Sequence, residues 1–200
     1  MHMELLERRD FKFLEVRIEP VEGGAGRLYG HSALFDSLSE DLGGFRERIA
    51  PGAFAATIAS DDIRALFNHD SNNILGRNTS GTLKLAEDDR GLVMAVDLPD
   101  TILARDLAVS IERGDVTGQS FGFRTLSDEW NMEDGEEIRT LKAVRLFDVG
   151  PVTFPAYPST TVATRSLEAY RATLAEENKK PTFPPLAVRR ASLRLAELEI

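Results

Sequence analysis

The chain has 200 residues, 42% of them hydrophobic, which is enough to bury one good core but little for a second independent domain. A net charge of −9 repels phosphate backbones, so we expect no nucleic-acid partner. The absence of cysteine excludes a disulfide framework, a thiolate metal site and a Cys nucleophile, and fits a reducing cytosol. The apolar runs fall far short of the roughly 20 residues that cross a bilayer, so we expect a soluble, unexported chain without a membrane partner.

Short strands separated by polar turns are predicted for the first half of the chain. Residues 11–19 alternate apolar and charged side chains, and residues 27–37 form a second alternating segment, which is typical of half-buried strands. Pro51 favours the first turn of a short helix, and Asp61 and Asp62 end it. Three further antiparallel strands are predicted in succession, at residues 63–67, 82–86 and 92–98.

The second half begins with the clearest helical pattern. Apolar residues recur every four positions between Asp100 and Arg113, Asp100 can cap the start, and Gly114 suits a left-handed stop. Strand-like alternation resumes at residues 116–126 and again at 136–154, and the acidic segment between them is predicted as a hairpin tip. These signals favour a β-rich α+β fold, a single-domain β-barrel with surrounding helices.

A change in composition after Arg165 predicts a domain boundary. Residues 1–165 are assigned to the core domain and residues 166–200 to a helical C-terminal tail. Within the tail, residues 166–180 are helical and acidic, residues 180–185 form a proline-punctuated linker, and residues 186–200 form a second amphipathic helix.

The segment Gly-Gln-Ser-Phe-Gly around Ser120 formally matches the nucleophile elbow of α/β-hydrolases. That fold requires a helix directly after the serine and a catalytic histidine later in the chain. Here the alternation continues after Ser120, and all three histidines precede it, so this fold is excluded on chain order.

A strand at 116–126 still gives Ser120 a setting suited to acyl transfer. Phe121 and Phe123 would face the core, while Ser120 would share the opposite face with Gly118, Gly122 and Arg124. Without side chains at the two glycines, a peptide backbone could approach the hydroxyl closely. A small-residue strand in a crowded barrel explains the same pattern equally well.

His69 is the best general base by elimination. It follows a predicted strand, in a polar turn where an imidazole ring can project from a rigid scaffold. A solvent-exposed loop histidine without a catalytic role is the commoner alternative at such a position. His2 lies in a start that is expected to fray, and His31 shares a face with Tyr29 and Phe35 that points to core packing.

Asp148 is the best third member for a Ser–His pair, because an acid inside an apolar strand needs a partner. A barrel-end aspartate that caps backbone amides would fit the spacing as well, and Asp70, Asp61 and Asp62 remain competitors. Those three carboxylates with His69 match no established metal-ligand spacing, and no Gly-rich phosphate loop is present, so we predict neither a metal nor a cofactor.

Five segments in this order resemble the tailed-phage prohead protease family: YGHSALFDS, ERIAPGAF, FNHDSNNILGR, GQSFGF and FDVGPVTFPAYPST. The similarity extends over residues 27–165. By this resemblance, His69 takes the place of the catalytic histidine and Ser120 that of the nucleophile. Asp148 falls where the third member is expected, given the family's similarity to herpesvirus assemblins. His31 departs from the family, which more often has a tyrosine there, and this leaves open a functional role for it.

The resemblance implies an assemblin-like β-barrel and a serine endopeptidase. Its substrate would be a scaffold segment or an extension of the major capsid protein, cleaved inside the immature phage head in the bacterial host cytoplasm. Such enzymes commonly trim themselves, which makes the tail a removable segment, and the resemblance leaves room for a homodimer. The chief alternative is a non-enzymatic capsid-assembly scaffold protein with the same barrel. A metal-dependent hydrolase centred on His69 is a third interpretation.

Overall fold

A computed structural model describes residues 6–12, 16–154 and 161–179 of the chain. Contacts divide the chain into two compact units, Met1–Arg165 and Ser166–Ile200. The strands in the described residues are β1 (Glu7–Lys12), β2 (Arg17–Glu19), β3 (Arg27–Leu34), β4 (Arg46–Ile49), β5 (Arg64–Leu66), β6 (Ile74–Arg77), β7 (Leu83–Glu87), β8 (Gly91–Asp97), β9 (Gly118–Glu133) and β10 (Glu136–Val152). The α-helices there are α1 (Ala55–Ser60), α2 (Ile102–Glu112) and α3 (Thr161–Lys179), and a 3₁₀ turn covers Asn78–Ser80.

The strands form two sheets. One has six strands in the order β1-β9-β10-β5-β6, with β4 also paired to β10, and the other has four strands in the order β2-β3-β8-β7. An isolated parallel bridge between Phe35 and Ile49 joins the end of β3 to β4. Within the described residues the pairings therefore give two sheets connected by this bridge, and they do not close a barrel. The structure confirms the coarser part of the predicted β-barrel with surrounding helices, a β-rich fold with few helices.

The long β9–β10 hairpin forms the centre of the larger sheet. Its two-residue tip is Asp134-Gly135, and both residues have positive φ (50° and 85°), as a type I′ turn requires. The whole acidic segment between the two strands was predicted as the tip, but β9 continues to Glu133 and β10 begins at Glu136. The reason is that Asp-Gly alone supplies the left-handed backbone, so the flanking acidic residues stay in the ladder.

One hydrophobic core unites the two sheets. Leu28, Met94 and Val96 come from the smaller sheet, and Phe121 and Phe123 come from the larger one, all fully buried. Helix α2 adds its buried face to the same core through Ala104, Leu107, Ala108 and Ile111. The predicted helical stop at Gly114 is confirmed by its φ of 79°. The cap, in contrast, is Thr101, whose hydroxyl accepts from the Ala104 amide at 3.3 Å, while Asp100 pairs with Arg105.

A buried ion cluster holds β1 and β4 against the hairpin; we define it as Glu7, Arg9, Glu47 and Arg139. Arg9 Nε donates to Glu47 at 2.8 Å, and Arg139 Nη1 donates to Glu7 at 2.9 Å and to Glu47 at 3.1 Å. All four side chains are at most 7% exposed. Burial alone would raise the pKa of Glu7, but the attraction and hydrogen bonds of Arg139, helped by Arg9, outweigh it and lower that pKa.

The predicted tail falls partly within the described residues. A helix is present where one was predicted, although it begins earlier, at Thr161. Two other predicted parts of the tail, the linker at 180–185 and the second helix at 186–200, lie outside the described residues. The same holds for residues 13–15 of the strand that was predicted at 11–19. Among the helices that the structure describes, none has the length and apolar character needed to span a membrane.

Candidate active site

Ser120 lies near the start of β9, in the middle of the larger sheet. Its backbone is paired with Asp10 of β1 on one side and with Gly150 of β10 on the other. The strand continues to Glu133 without a helix after the serine, which agrees with the exclusion of the nucleophile elbow. Ser120 has no exposed surface, and every residue from 118 to 123 is buried. The hydroxyl is therefore enclosed in this conformation.

His69 lies in the turn between β5 and β6, and its backbone has a φ of 55°. Asp70 stabilises this turn from within: its carboxylate accepts from the Asn72 amide at 2.8 Å and from the Asn72 side chain at 2.9 Å. The Asp70 backbone adds two more bonds, to Phe67 at 3.2 Å and to Asn73 at 2.9 Å. Asp70, a competitor for the third position in the sequence analysis, is thus occupied in shaping the loop that carries the histidine.

The imidazole of His69 connects Ser120 to Asp148. Its Nε2 atom lies 2.6 Å from Ser120 Oγ, and its Nδ1 atom is hydrogen-bonded to Asp148 Oδ1. The side chains of His69 and Asp148 are only 8% and 10% exposed. In the tautomer with the proton on Nδ1, the ring donates to Asp148, and Nε2 is left to accept the hydroxyl proton of Ser120. The structure therefore brings together the three residues that the sequence analysis singled out.

Asp148 reaches the histidine because Gly122 leaves room for it. A Cβ atom added to Gly122 would lie 2.7 Å from Asp148 Oδ2. A register shift between Leu146 and Asp148 on β10 places Asp148 opposite Gly122. The sequence analysis expected the glycines beside Ser120 to admit a substrate backbone, and for Gly122 this is wrong, because a carboxylate of the same chain fills the space.

A second glycine allows β5 and β10 to approach closely. A Cβ atom at Gly150 would lie 1.9 Å from the carbonyl oxygen of Leu66, at the end of β5. This contact lies next to Ser120, which pairs with Gly150, and one residue before the turn that contains His69. No periodic pattern marks Gly150 in the sequence, although its position in the segment Asp-Val-Gly-Pro was a usable signal.

The other candidate residues lie apart from this group. Asp62 binds Arg77 through two contacts of 2.7 Å, and these bonds hold the pKa of Asp62 at about 2. Asp61 accepts from Thr57 at 2.8 Å. His31, a residue of β3, is 7% exposed and contacts the Asp88 carboxylate at 3.0 Å. It is therefore buried, as the sequence pattern predicted.

No group of three or more His, Cys, Asp or Glu side chains in the described part of the chain is placed to hold a metal ion. His2 lies outside the residues that the structure describes.

A Ser–His–Asp series joined by hydrogen bonds is the arrangement that serine hydrolases use on many unrelated folds. The sequence profile of the caudovirus prohead serine protease family matches residues 12–173, so the chain belongs to this family. It is a serine peptidase of prohead maturation, and it acts within the assembling prohead.

The chain is also similar to individual proteins. The prohead protease of Enterobacteria phage HK97 is 27% identical over 165 residues, a match that covers 80% of this chain and 68% of that protein. The solved structure of the bacteriophage T4 capsid assembly protease has a TM-score of 0.49 and 12% identity, and the match covers 75% of this chain and 98% of that one.

Proposed function

We propose that Ser120 is the nucleophile of this peptidase, His69 its general base and Asp148 the group that orients the imidazole. The observation that supports this proposal is the position of His69, with one ring nitrogen 2.6 Å from Ser120 Oγ and the other bonded to Asp148. A general base must lie within about 2.6–3.2 Å of the heavy atom that carries the proton, and His69 Nε2 meets this condition.

The reaction follows from this geometry in two stages. His69 Nε2 takes the proton of Ser120 as Oγ bonds to the carbonyl carbon of the scissile peptide. His69 then returns the proton to the departing amine, the C–N bond breaks, and an acyl ester remains on Ser120. In the second stage a water molecule gives a proton to His69 and attacks the ester carbonyl. The C–O bond to Ser120 then breaks, His69 returns the proton to Oγ, and the acid product leaves. Asp148 stays ionised throughout and stabilises the imidazolium.

Substrate access requires a change in this conformation. Because Ser120 has no exposed surface, a peptide reaches its hydroxyl only after neighbouring groups move apart. We propose that the described conformation is closed and that the substrate segment, or assembly inside the prohead, favours an open one. Opening would then limit the rate in the isolated protein, as conformational steps do in many enzymes.

The substrate that we propose is an extension of the major capsid protein or a scaffold segment of the same phage, cleaved in the prohead within the host cytoplasm. The name of the HK97 relative, a prohead protease, supports this choice. We also propose that the unit Ser166–Ile200 is removed by self-cleavage, since most of it lies beyond the family match, which ends at residue 173. Finer features that we propose are a homodimer and an assemblin-like barrel; the core shared by both sheets favours the barrel.

Intact-mass spectrometry of the concentrated protein over time, with wild type beside Ser120→Ala, tests the proposal. We expect the wild type to lose a terminal segment and Ser120→Ala to remain whole, with the same circular dichroism spectrum. If neither changes, the major capsid protein of the phage is added as substrate, and we expect wild type alone to cleave it. Equal cleavage by both proteins, or none by either, would contradict the assignment of Ser120.

A further inference from the structure

The turn that carries His69 has a backbone that L-residues rarely adopt. Asn68 and His69 are consecutive and both left-handed, with φ values of 56° and 55°. Each non-glycine residue in this region costs about 1–2 kcal/mol, least for Asn and Asp, and such a pair persists only where the surroundings hold it. The position of the imidazole therefore depends on whatever fixes this turn.

Asn68 ties the turn to the end of the strand that carries Asp148. Its backbone N–H donates to the Pro151 carbonyl at 3.0 Å, and its side-chain Oδ1 accepts from the Thr153 N–H at 2.8 Å. Its Nδ2 also donates to Thr153 Oγ1 at 3.2 Å. These three bonds span 83 to 85 positions of sequence and engage β10 and the residue after it.

The two sides of the turn thus have different anchors. Among the described residues, the hydrogen-bond partners of Asp70 all belong to the same turn, so these bonds shape the loop without fixing it to another element. Asn68 connects the loop to β10, the strand that places Asp148 beside Gly122. The turn is tied to β10 before His69 by the pairing of β5 with Asp148 and Val149, and within the turn by the bonds of Asn68, the residue next to His69.

We infer that Asn68 is a positioning residue of the catalytic site. Its side-chain amide holds the His69 imidazole in register with both Asp148 and Ser120, in addition to tolerating the left-handed backbone. This inference rests on the roles proposed for Ser120, His69 and Asp148. The amide makes no contact with the reacting groups, so its effect is on the geometry that the histidine presents.

Three variants separate the amide from the backbone. Asn68→Gly keeps the left-handed conformation without cost and removes both side-chain bonds. Asn68→Asp keeps the acceptor for the Thr153 N–H, and the Thr153 hydroxyl can turn to donate to the carboxylate. Asn68→Ala removes the bonds and also disfavours the backbone. Asn131→Gly, in the exposed arm of the β9–β10 hairpin, is the matched control for an Asn→Gly change far from the site.

Steady-state cleavage of the capsid protein gives the first measurement. We expect Asn68→Gly to lower kcat by about 10- to 100-fold with KM changed less than about threefold, as a misplacement of under 1 Å can do. Asn68→Asp should keep at least about a third of the wild-type kcat, and Asn131→Gly should match wild type. Wild-type kcat in Asn68→Gly, with a loss in Asn68→Ala, would show that only the backbone matters and would overturn the inference.

A second measurement does not depend on activity. In the Ser120→Ala background, proton NMR detects the low-field signal of the His69 Nδ1–H that is donated to Asp148. We expect this signal in Asn68→Asp and its loss or broadening in Asn68→Gly, with melting temperatures within about 4 °C of each other. An unchanged signal in Asn68→Gly would refute the positioning role. If Ser120→Ala retained protease activity, the roles proposed above would fail, and the NMR comparison would still report on Asn68.

Discussion

Replacing Gly122 with alanine should disable the site while leaving the fold intact. The added Cβ would lie 2.7 Å from Asp148 Oδ2, 3.3 Å from its Cγ and 3.4 Å from Oδ1. The contacted atoms form the end of a side chain rather than backbone, so the carboxylate can move away. That movement takes it from the position in which it accepts from His69 Nδ1.

The size of the effect follows from the size of the movement. Ordinary van der Waals contact begins at 3.4 Å, so the nearest oxygen has to retreat by about 0.7 Å. A displacement of about 1 Å in a catalytic constellation costs roughly 10²-fold, and complete loss of the orienting acid costs about 10⁴-fold. We therefore expect kcat/KM of Gly122→Ala to fall by between about 10²- and 10⁴-fold, which is roughly 3–5 kcal/mol of transition-state stabilisation.

A double-mutant cycle gives the decisive assay. Cleavage of the capsid protein is measured for wild type, Gly122→Ala, Asp148→Ala and the double variant. If Gly122 acts by leaving room for the carboxylate, adding Gly122→Ala to Asp148→Ala should cost less than about threefold. A folded Gly122→Ala with activity within threefold of wild type would refute the reasoning, as would a full second loss in the double variant.

Two further predictions concern the buried ion cluster. Arg139→Met leaves Glu7 and Glu47 buried without this cation, and we expect it to lower the free energy of unfolding, measured in urea, by about 3–5 kcal/mol. The control is Lys142→Met on the same strand, which removes an exposed ion pair with Glu129 and should change that free energy by less than about 1 kcal/mol. Equal losses would contradict this account. The lowered pKa of Glu7 means that folding favours its ionised form, so this stabilisation is present above the unfolded pKa of about 4.3 and is lost as pH falls through the folded pKa. Urea unfolding at a series of pH values should show the decrease below about pH 4.3, and a stability that rises on acidification there would contradict it.

Local sequence signals predicted most of the elements but not their pairing; they missed β4 and β6, and the single strand predicted at residues 11–19 falls on β1 and β2, which lie in different sheets. The period of helix α2 and its stop at Gly114 are properties of neighbouring residues, so they could be read directly. The pairing of β10 with β4 and β5 joins residues more than 80 positions apart in parallel register, and no local pattern encodes it. The division of the strands between two sheets depends on these distant pairings, so local patterns do not predict it.

The residue types of the site were more predictable than its construction. His69 could be chosen because the sequence has only three histidines, Ser120 because two glycines flank it in an alternating segment, and Asp148 because it lies within an apolar strand segment. The supporting residues were missed for a physical reason: Gly122 matters through a side chain that it lacks, and Asn68 matters through bonds to a distant strand. Such roles depend on which atoms approach in three dimensions, and polar loop residues give no sign of that in the sequence.

Strand β10 is the element that brings the site together. It carries Asp148, pairs on one side with the strand of Ser120, and pairs on the other side with β5, which leads into the turn of His69. Two contacts lie beside these pairings: Gly150 of β10 approaches Leu66 of β5 closely, and Asn68 in the turn is hydrogen-bonded to Thr153, just after β10. Because the three side chains proposed to be catalytic are all positioned relative to one strand, a shift of β10 would disturb both hydrogen bonds of His69 together.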